Sequence, residues 1–226
     1  SGLTIGKDKD AQDARDPFTN DDLVKLFESP EYQKHDFKHP YHYWVPLIGL
    51  YTGARLNEIC QLHLEDLEQI NNGLYVFNFN CGSEDKTVKT RSSSRIIPIH
   101  SKLIDLGLIT YSNLLKLQKE TRLFPEIKLD SKARYSGLPS KWFSCYRKRN
   151  GVDDEKNRKV FHSFRHTMIN HLKQKLVAKE IIQGIVGHKD GSVTFDVYGN
   201  KYQPEVLQEF VELVQFDIQH TKFHID

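Results

Sequence analysis

The feature that most constrains the fold is a nearly unbroken apolar stretch, YWVPLIGLY at residues 43–51. A helix that crosses a bilayer needs about 20 apolar residues, so this stretch belongs inside a folded domain. Pro46 lies near its beginning, where a helix tolerates proline, and Gly53 lies just past its end, where a helix commonly stops. We therefore predict a buried helix that ends at Gly53, with Arg55 just beyond it.

The rest of the chain predicts further helices and one small sheet. Thr19 is expected to begin a helix, because its side chain can cap the helix and an acidic residue follows three positions later. Apolar residues alternate along residues 74–80, as in a half-buried strand, and residues 95–99 are the expected partner strand. A polar loop, residues 81–94, joins the two. The predicted fold is mainly α-helical with a small antiparallel β-sheet (α+β).

A chain of 226 residues is long enough for one domain with a sizeable core. We expect residues 1–16 to be a linker or a cloning remnant, residues 17–202 to form the main domain, and residues 203–226 to form a helical tail. Five apolar side chains of the tail fall on one helical stripe, which has to be buried against some surface. They are Leu207, Phe210, Val211, Val214 and Ile218.

The composition of the chain restricts the possible functions less than it restricts the possible folds. Hydrophobic residues make up 38% and charged residues 27% of the chain, and the N-terminal 16 residues lack the apolar core of a secretion signal. We expect a cytoplasmic protein with no membrane insertion. The three cysteines lack the paired spacing of a zinc site or a disulfide framework. A formal net charge of +2 does not indicate a nucleic-acid partner by itself, because local Lys and Arg clusters supply phosphate contacts.

Four short motifs point to a function. They are TGARLNE at residues 52–58, KTR at 89–91, HSFRH at 162–166, and GH at 187–188, which Tyr198 follows. Together they resemble the tyrosine recombinases of the phage integrase family, whose pattern has an Arg after a Thr-Gly turn, a hairpin Lys, a His-x-x-Arg, a Gly-His and a terminal Tyr. The resemblance runs from Phe18 to Tyr202 and implies the C-terminal catalytic domain and the fold of that family.

The resemblance implies a transesterification at a DNA phosphodiester, with Tyr198 as the nucleophile. Negative charge develops on the non-bridging oxygens, and the permanently charged, forked side chains of Arg55 and Arg165 suit that phosphate. Ordinary surface ion pairs are the alternative for both arginines. His162 lies three residues before Arg165 on one helical face, where it could accept the tyrosine proton or donate a hydrogen bond.

Three further residues receive their roles from the resemblance. It implies that His188 hydrogen-bonds the scissile phosphate, that Glu58 supports the site, and that Lys89 protonates the leaving 5′-oxygen from the hairpin loop. Lys86 lies three positions away and is the alternative general acid. Tyr202 is the alternative nucleophile.

The predicted partner is double-stranded DNA carrying a recombination site, on which the protein self-associates as a tetramer. Basic residues cluster near the motifs, although each cluster could be an ordinary solvated face. The predicted DNA contacts are Lys86, Arg91, Arg95, Arg147, Lys148 and Arg149. His162 and His166 could instead form a metal pair, but the glutamate of a His-Glu-x-x-His motif and a third ligand are missing from the sequence pattern. We expect neither metal nor cofactor.

Two other functions share parts of this pattern. A type IB topoisomerase has the same cleavage chemistry but rejoins the same strand, and a DNA-binding module would use the basic residues without chemistry. The family usually carries a separate N-terminal DNA-binding domain, so we expect this sequence to be a fragment. In related recombinases the segment after the nucleophile docks onto a neighbouring protomer. Docking of the tail onto its own domain and docking onto a neighbour both remain open from the sequence.

Overall fold

The computed structural model describes residues 15–70, 72–87, 93–132, 134–152, 158–187 and 202–223. Within these ranges the chain forms helices with three short strands between the fourth and fifth. The helices are α1 Asn20–Phe27, α2 Pro30–Lys34, α3 Pro40–Thr52, α4 Leu56–Cys60, α5 Ser101–Asp105, α6 Leu108–Leu117, α7 Gly137–Arg149, α8 Ser163–Gln174, α9 Lys179–Val186 and α10 Pro204–Glu212. The strands are β1 Leu67–Gln69, β2 Tyr75–Phe79 and β3 Arg95–Pro98.

The predicted buried helix is α3, which is buried along nearly its whole length. It begins at Pro40, so Pro46 lies in its interior and not near its beginning as expected. It ends at Gly53, whose φ of 60° places it in the left-handed region that favours glycine. A Cβ atom at Gly53 would lie 3.0 Å from Val186 and 3.1 Å from Met168. The turn after α3 is therefore packed directly against α8 and the end of α9, which is where the candidate site forms.

The three strands form one antiparallel sheet in the order β1-β2-β3. Phe77 of β2 lies opposite Leu67 on one side and Ile97 on the other, and all three side chains are buried. The predicted pairing of β2 with β3 is confirmed, whereas β1 was not predicted. The sheet places Arg95, the first residue of β3, beside the helices that surround Gly53.

The C-terminal tail packs against its own domain in this structure. Leu207, Val211 and Val214 are at most 2% exposed, and α10 lies against β3 and α9. The His100 imidazole is 2.8 Å from the carbonyl oxygen of Val214, and the Tyr43 hydroxyl donates to the carbonyl of Thr221 at 2.6 Å. Four residues of the predicted apolar stripe are thus buried within the same chain, and Phe210 is partly buried.

In the part of the chain that the structure describes, every helix is too short or too polar to cross a membrane.

Candidate active site

The turn that follows α3 presents Arg55 at the head of α4. Its backbone N–H donates to Oε2 of Glu58 at 3.0 Å, and its guanidinium donates to Oε1 of the same carboxylate at 2.6 Å. The Arg55 side chain is 22% exposed, whereas that of Glu58 is 3% exposed. Glu58 therefore fixes the guanidinium from the protein interior and leaves part of it accessible to a ligand.

A second arginine shares the Glu58 carboxylate. Nη2 of Arg95 donates to Oε2 of Glu58 at 3.2 Å, and Arg95 is itself only 5% exposed. Burial raises the pKa of Glu58, but the charges of Arg95 and Arg55 and the hydrogen bond from the Arg55 backbone outweigh burial, so its pKa lies below the ordinary value. Glu58 is therefore ionised at neutral pH and holds two guanidinium groups.

Arg165 lies deeper in the same region. Its guanidinium donates to the carbonyl oxygen of Gly53 at 3.0 Å, to that of Val186, and to that of Gly187 at 3.4 Å. These carbonyls belong to the turn before Arg55 and to the C-terminal end of α9, where the helix dipole favours a cation. Burial, together with the positive charges of Arg55 and Arg95, lowers the pKa of Arg165 to about 9. Arg165 is therefore still protonated at neutral pH.

His162 is the N-cap residue of α8, three positions before Arg165. The His162 side chain is exposed, whereas Arg165, three residues later, is buried. The imidazole ring of His162 meets that of His166 edge to face, with 5.2 Å between their centroids. Within the described residues, groups of three or more His, Cys, Asp or Glu side chains that could hold a metal ion are absent.

These contacts place two arginines on one buried carboxylate and a third, Arg165, on backbone carbonyls nearby. Such a group has an excess of positive charge even when Glu58 is ionised, and it is arranged to attract an anion. The guanidinium of Arg55 is the most accessible of the three, since Arg95 and Arg165 are both buried. The arrangement suits a phosphate group that approaches from the side of Arg55.

A protein-family model and a curated relative both match this chain. The phage integrase family model matches residues 17–205. The chain belongs to the phage integrase family. A curated tyrosine recombinase from Pseudothermotoga lettingae is 30% identical over 166 residues, which are 73% of this chain and 51% of the relative. The integrase-family chain thus spans about half the length of that relative.

Solved structures share the fold of this integrase-family domain. An integrase from mycobacterium phage Brujita superposes with a TM-score of 0.58 at 16% identity, over 91% of this chain and 60% of its own. The XerH site-specific recombinase, bound to a palindromic difH substrate, gives 0.57 at 21% identity, over 87% and 51%. The lambda integrase catalytic core gives 0.51 at 21% identity, over 77% and 96%. The predicted family and fold class are confirmed.

Four predicted site residues of the family motif lie outside the described residues. They are Lys89, Arg91, His188 and Tyr198. The structure describes the residues next to two of these positions, because Gly187 ends α9 immediately before His188, and Tyr202 follows Tyr198 by four positions. Tyr202 is 42% exposed, and its ring lies against Gly184 of α9.

Three of the predicted DNA contacts are buried and have internal partners in this structure. Lys86 forms an ion pair of 2.8 Å with Asp66, in which both side chains are at most 4% exposed. Arg147 is 1% exposed and donates to the carbonyl of Val152 at 3.0 Å, and Arg95 is buried as described above. Because these side chains have internal partners, they do not form a DNA-facing surface in this conformation.

Two other predicted contacts of the same basic cluster are compatible with a DNA surface. Lys148 and Arg149 are exposed at the end of α7. Arg149 also forms an ion pair of 2.6 Å with Glu31 of α2. Their contact with DNA remains a prediction.

Sequence reasoning missed the side chains that anchor the loop between β2 and β3. Asp85 accepts hydrogen bonds from Ser83 at 2.7 Å, from Arg122 at 2.6 Å and from Tyr135 at 2.9 Å, and it lies 3.0 Å from His63. Burial raises the pKa of Asp85, but the hydrogen bonds from Ser83, His63 and Tyr135 outweigh burial and hold the pKa well below its ordinary value. Most of these partners are distant in sequence, so no local pattern indicates the cluster.

Proposed function

We propose that this chain is the catalytic domain of a site-specific DNA recombinase, which cleaves and rejoins DNA strands through a 3′-phosphotyrosyl intermediate. The observation that carries the proposal is the Arg55–Glu58–Arg95 arrangement beside Arg165, which concentrates positive charge at the family motif. The XerH neighbour is described as bound to its difH substrate, which supports DNA as the substrate class. The proposed substrate is a duplex that carries a recombination site, on which copies of the protein assemble as a tetramer.

In the proposed reaction the hydroxyl oxygen of Tyr198 attacks the scissile phosphorus. The phosphorus–oxygen bond to the 5′-oxygen breaks, which leaves a 3′-phosphotyrosyl link and a free 5′-hydroxyl. A 5′-hydroxyl from a partner strand then attacks the same phosphorus and releases the tyrosine. The number of phosphodiester-type bonds is unchanged in each step, so the proposal requires neither ATP nor a metal ion.

Positive charge near the phosphate supplies the main catalytic effect in this proposal. Arg55 and Arg165 stabilise the non-bridging oxygens as they gain charge, and His188 adds a hydrogen bond. His162 accepts the tyrosine proton or donates a hydrogen bond at the same phosphate. Tyrosine has an unperturbed pKa of about 10, so the surrounding cations are needed to favour its phenolate at neutral pH.

The leaving 5′-oxygen needs a proton, which we assign to Lys89. The alternative donor, Lys86, is held in a buried ion pair with Asp66. Reaching a DNA phosphate would require Lys86 to break that pair and leave the Asp66 carboxylate buried without it, which is costly. The structure therefore supports Lys89 over Lys86.

Covalent-adduct formation tests the proposed function. The chain is incubated with nicked duplexes that together cover the DNA flanking its gene, and denaturing gels detect protein-linked strands. We expect an adduct with the wild-type chain and with Tyr202→Phe, but not with Tyr198→Phe, because Tyr198 supplies the proposed nucleophile. Each change removes only one hydroxyl, so the two variants are directly comparable. An adduct that persists in Tyr198→Phe and disappears in Tyr202→Phe would show that the nucleophile is Tyr202. Joining of strands from two different duplexes distinguishes recombination from relaxation alone.

A further inference from the structure

The Arg95 guanidinium makes a directed contact with each of its three nitrogen atoms. Its Nε donates to the carbonyl of Ile185 at 2.7 Å, its Nη1 to the carbonyl of Ser93 at 2.9 Å, and its Nη2 to Glu58 at 3.2 Å. Its guanidinium also lies over the ring of Phe79, 4.5 Å from the centroid. All three nitrogens of the fork are therefore engaged, which fixes the orientation of the group.

Each hydrogen-bonded partner of Arg95 belongs to a segment that carries a residue of the proposed mechanism. Glu58 holds the backbone N–H and the guanidinium of Arg55. Ile185 lies in the last turn of α9, which ends at Gly187 immediately before His188. Ser93 lies at the end of the loop that carries Lys89 in sequence. One guanidinium thus joins three segments that are far apart in the chain.

The end of α9 lies so close to Arg95 that a side chain at position 187 would require the Arg95 guanidinium to shift. A Cβ atom there would lie 2.8 Å from Nη1 of Arg95, and Gly187 has a φ of 70°, in the left-handed region. Gly187, the residue before His188, therefore lies close to the Arg95 side chain.

Arg95 also affects the charge available at Arg55. The Glu58 carboxylate divides its hydrogen bonds between Arg55 and Arg95. Without Arg95, the full negative charge of this buried carboxylate would act on Arg55 alone and reduce its attraction for a phosphate. Neutralising Glu58 from its inner side leaves more of the Arg55 charge for the ligand.

We propose that Arg95 is a positioning residue for DNA cleavage, which sets Arg55 through Glu58 and sets the end of α9 through Ile185 and Gly187. This inference rests on the proposed function, and it replaces the DNA contact expected for Arg95 from the sequence. Arg95 does not touch the substrate. It acts on the cleavage step through the residues that do.

Single-turnover cleavage of a nicked duplex tests the role of Arg95, with Arg147 as the matched control. Arg147 is likewise a buried arginine that donates to a backbone carbonyl. We expect Arg95→Met to lower the cleavage rate constant at saturating DNA by about 10- to 100-fold, as misplaced catalytic groups do, with DNA affinity changed by less than about threefold. Arg147→Met should leave that rate constant near the wild-type value for the folded fraction. Arg95→Lys keeps the charge without the fork and should recover part of the rate.

Equal rate constants at saturating DNA for folded Arg95→Met and Arg147→Met would overturn the inference. Amide hydrogen exchange in the free protein is a second measurement of the role of Arg95, and it does not depend on cleavage. The Arg55 amide, which donates to Glu58, should exchange at least about tenfold faster in Arg95→Met or Arg95→Lys, but not in Arg147→Met. Unchanged exchange at Arg55 would refute the role of Arg95 even if the protein cleaves DNA. A wild-type chain that forms no adduct would refute the proposed function, while the exchange measurement would still decide the inference.

Discussion

Replacing Glu58 by glutamine removes the negative charge that holds two arginines together. Glutamine keeps the size of the side chain and one carbonyl oxygen, but its amide group puts a donor beside groups that are themselves donors. The wild-type carboxylate accepts from the Arg55 backbone at 3.0 Å, from the Arg55 guanidinium at 2.6 Å and from the Arg95 guanidinium at 3.2 Å. At least one of these three bonds cannot form in Glu58→Gln.

The expected loss of stability follows from burial. Removing one partner of a fully buried ion pair costs about 3–5 kcal/mol, because a charge is left without compensation. Arg95 meets that description, whereas the Arg55 side chain is 22% exposed and can recover some hydration. We therefore expect the free energy of unfolding to fall by about 3 kcal/mol, at the lower end of the range. Glu65→Gln is the control, since the Glu65 side chain is 79% exposed and should change stability by less than about 1 kcal/mol.

Urea unfolding as a function of pH gives the decisive comparison. The folded-state pKa of Glu58 lies below its ordinary value, so its contribution is complete above the unfolded-state pKa of about 4.3. The contribution is lost as the pH falls from there through the folded-state pKa. The difference between wild type and Glu58→Gln should therefore stay constant from neutral pH to about pH 5 and shrink below it. The reasoning fails if Glu58→Gln is as stable as wild type at neutral pH, or if the difference does not shrink in acid.

Two other changes test the tail and the general acid. Leu207→Ala should lower the free energy of unfolding by about 2–4 kcal/mol, because Leu207 is 2% exposed, whereas its neighbour Val206 is 48% exposed and Val206→Ala should cost less than about 1 kcal/mol. Equal effects of the two changes would show that the tail is not docked as described. Lys89→Ala should slow DNA cleavage, and a substrate with sulfur at the bridging 5′ position should restore the rate, because that leaving group needs no proton. Rescue of Lys86→Ala instead, with Lys89→Ala near normal, would contradict our assignment of the proton donor.

The local features of the site could be predicted from sequence because they depend on nearby residues. The left-handed end of α3 at Gly53 follows from an apolar run that stops at glycine. Arg55 and Glu58 are three positions apart, and the capping contact between them needs only that spacing. His162 and Arg165 likewise share one helical segment. Such contacts are determined within one or two turns of the chain.

The features that could not be predicted from the sequence depend on partners that are distant along the chain. Arg95 was grouped with the basic residues of the loop, but its partners Glu58 and Ile185 are 37 and 90 positions away. Lys86 lies in a basic cluster of the sequence, as a DNA-contacting lysine would, yet it pairs with Asp66, which is 20 positions away. The sequence alone therefore does not distinguish a basic residue that faces a phosphate from one that faces a buried carboxylate. Strand β1 was missed because three residues are too few to show an alternating pattern.

The proposed assembly on DNA raises the question of whether the tail stays docked on its own domain or moves to a neighbouring copy. The Thr221 hydroxyl donates to the end of the long Gln33 side chain at 3.0 Å, so cysteines at these two positions can be joined through a short bis-thiosulfonate cross-linker, which forms a disulfide with each cysteine. This oxidised protein holds the tail on its own domain. The exposed Cys81 and Cys145 are replaced by serine to prevent other pairings. If DNA-bound copies exchange tails, the oxidised protein should bind DNA as single copies but form few multimers, and reduction should restore them, because a tethered tail cannot reach a neighbour. Sedimentation of the DNA complexes, with the single Thr221→Cys variant as control, measures this difference. Full assembly of the oxidised protein would show that the tail stays in cis, since Leu207, Val211 and Val214 would then remain buried where the single chain places them.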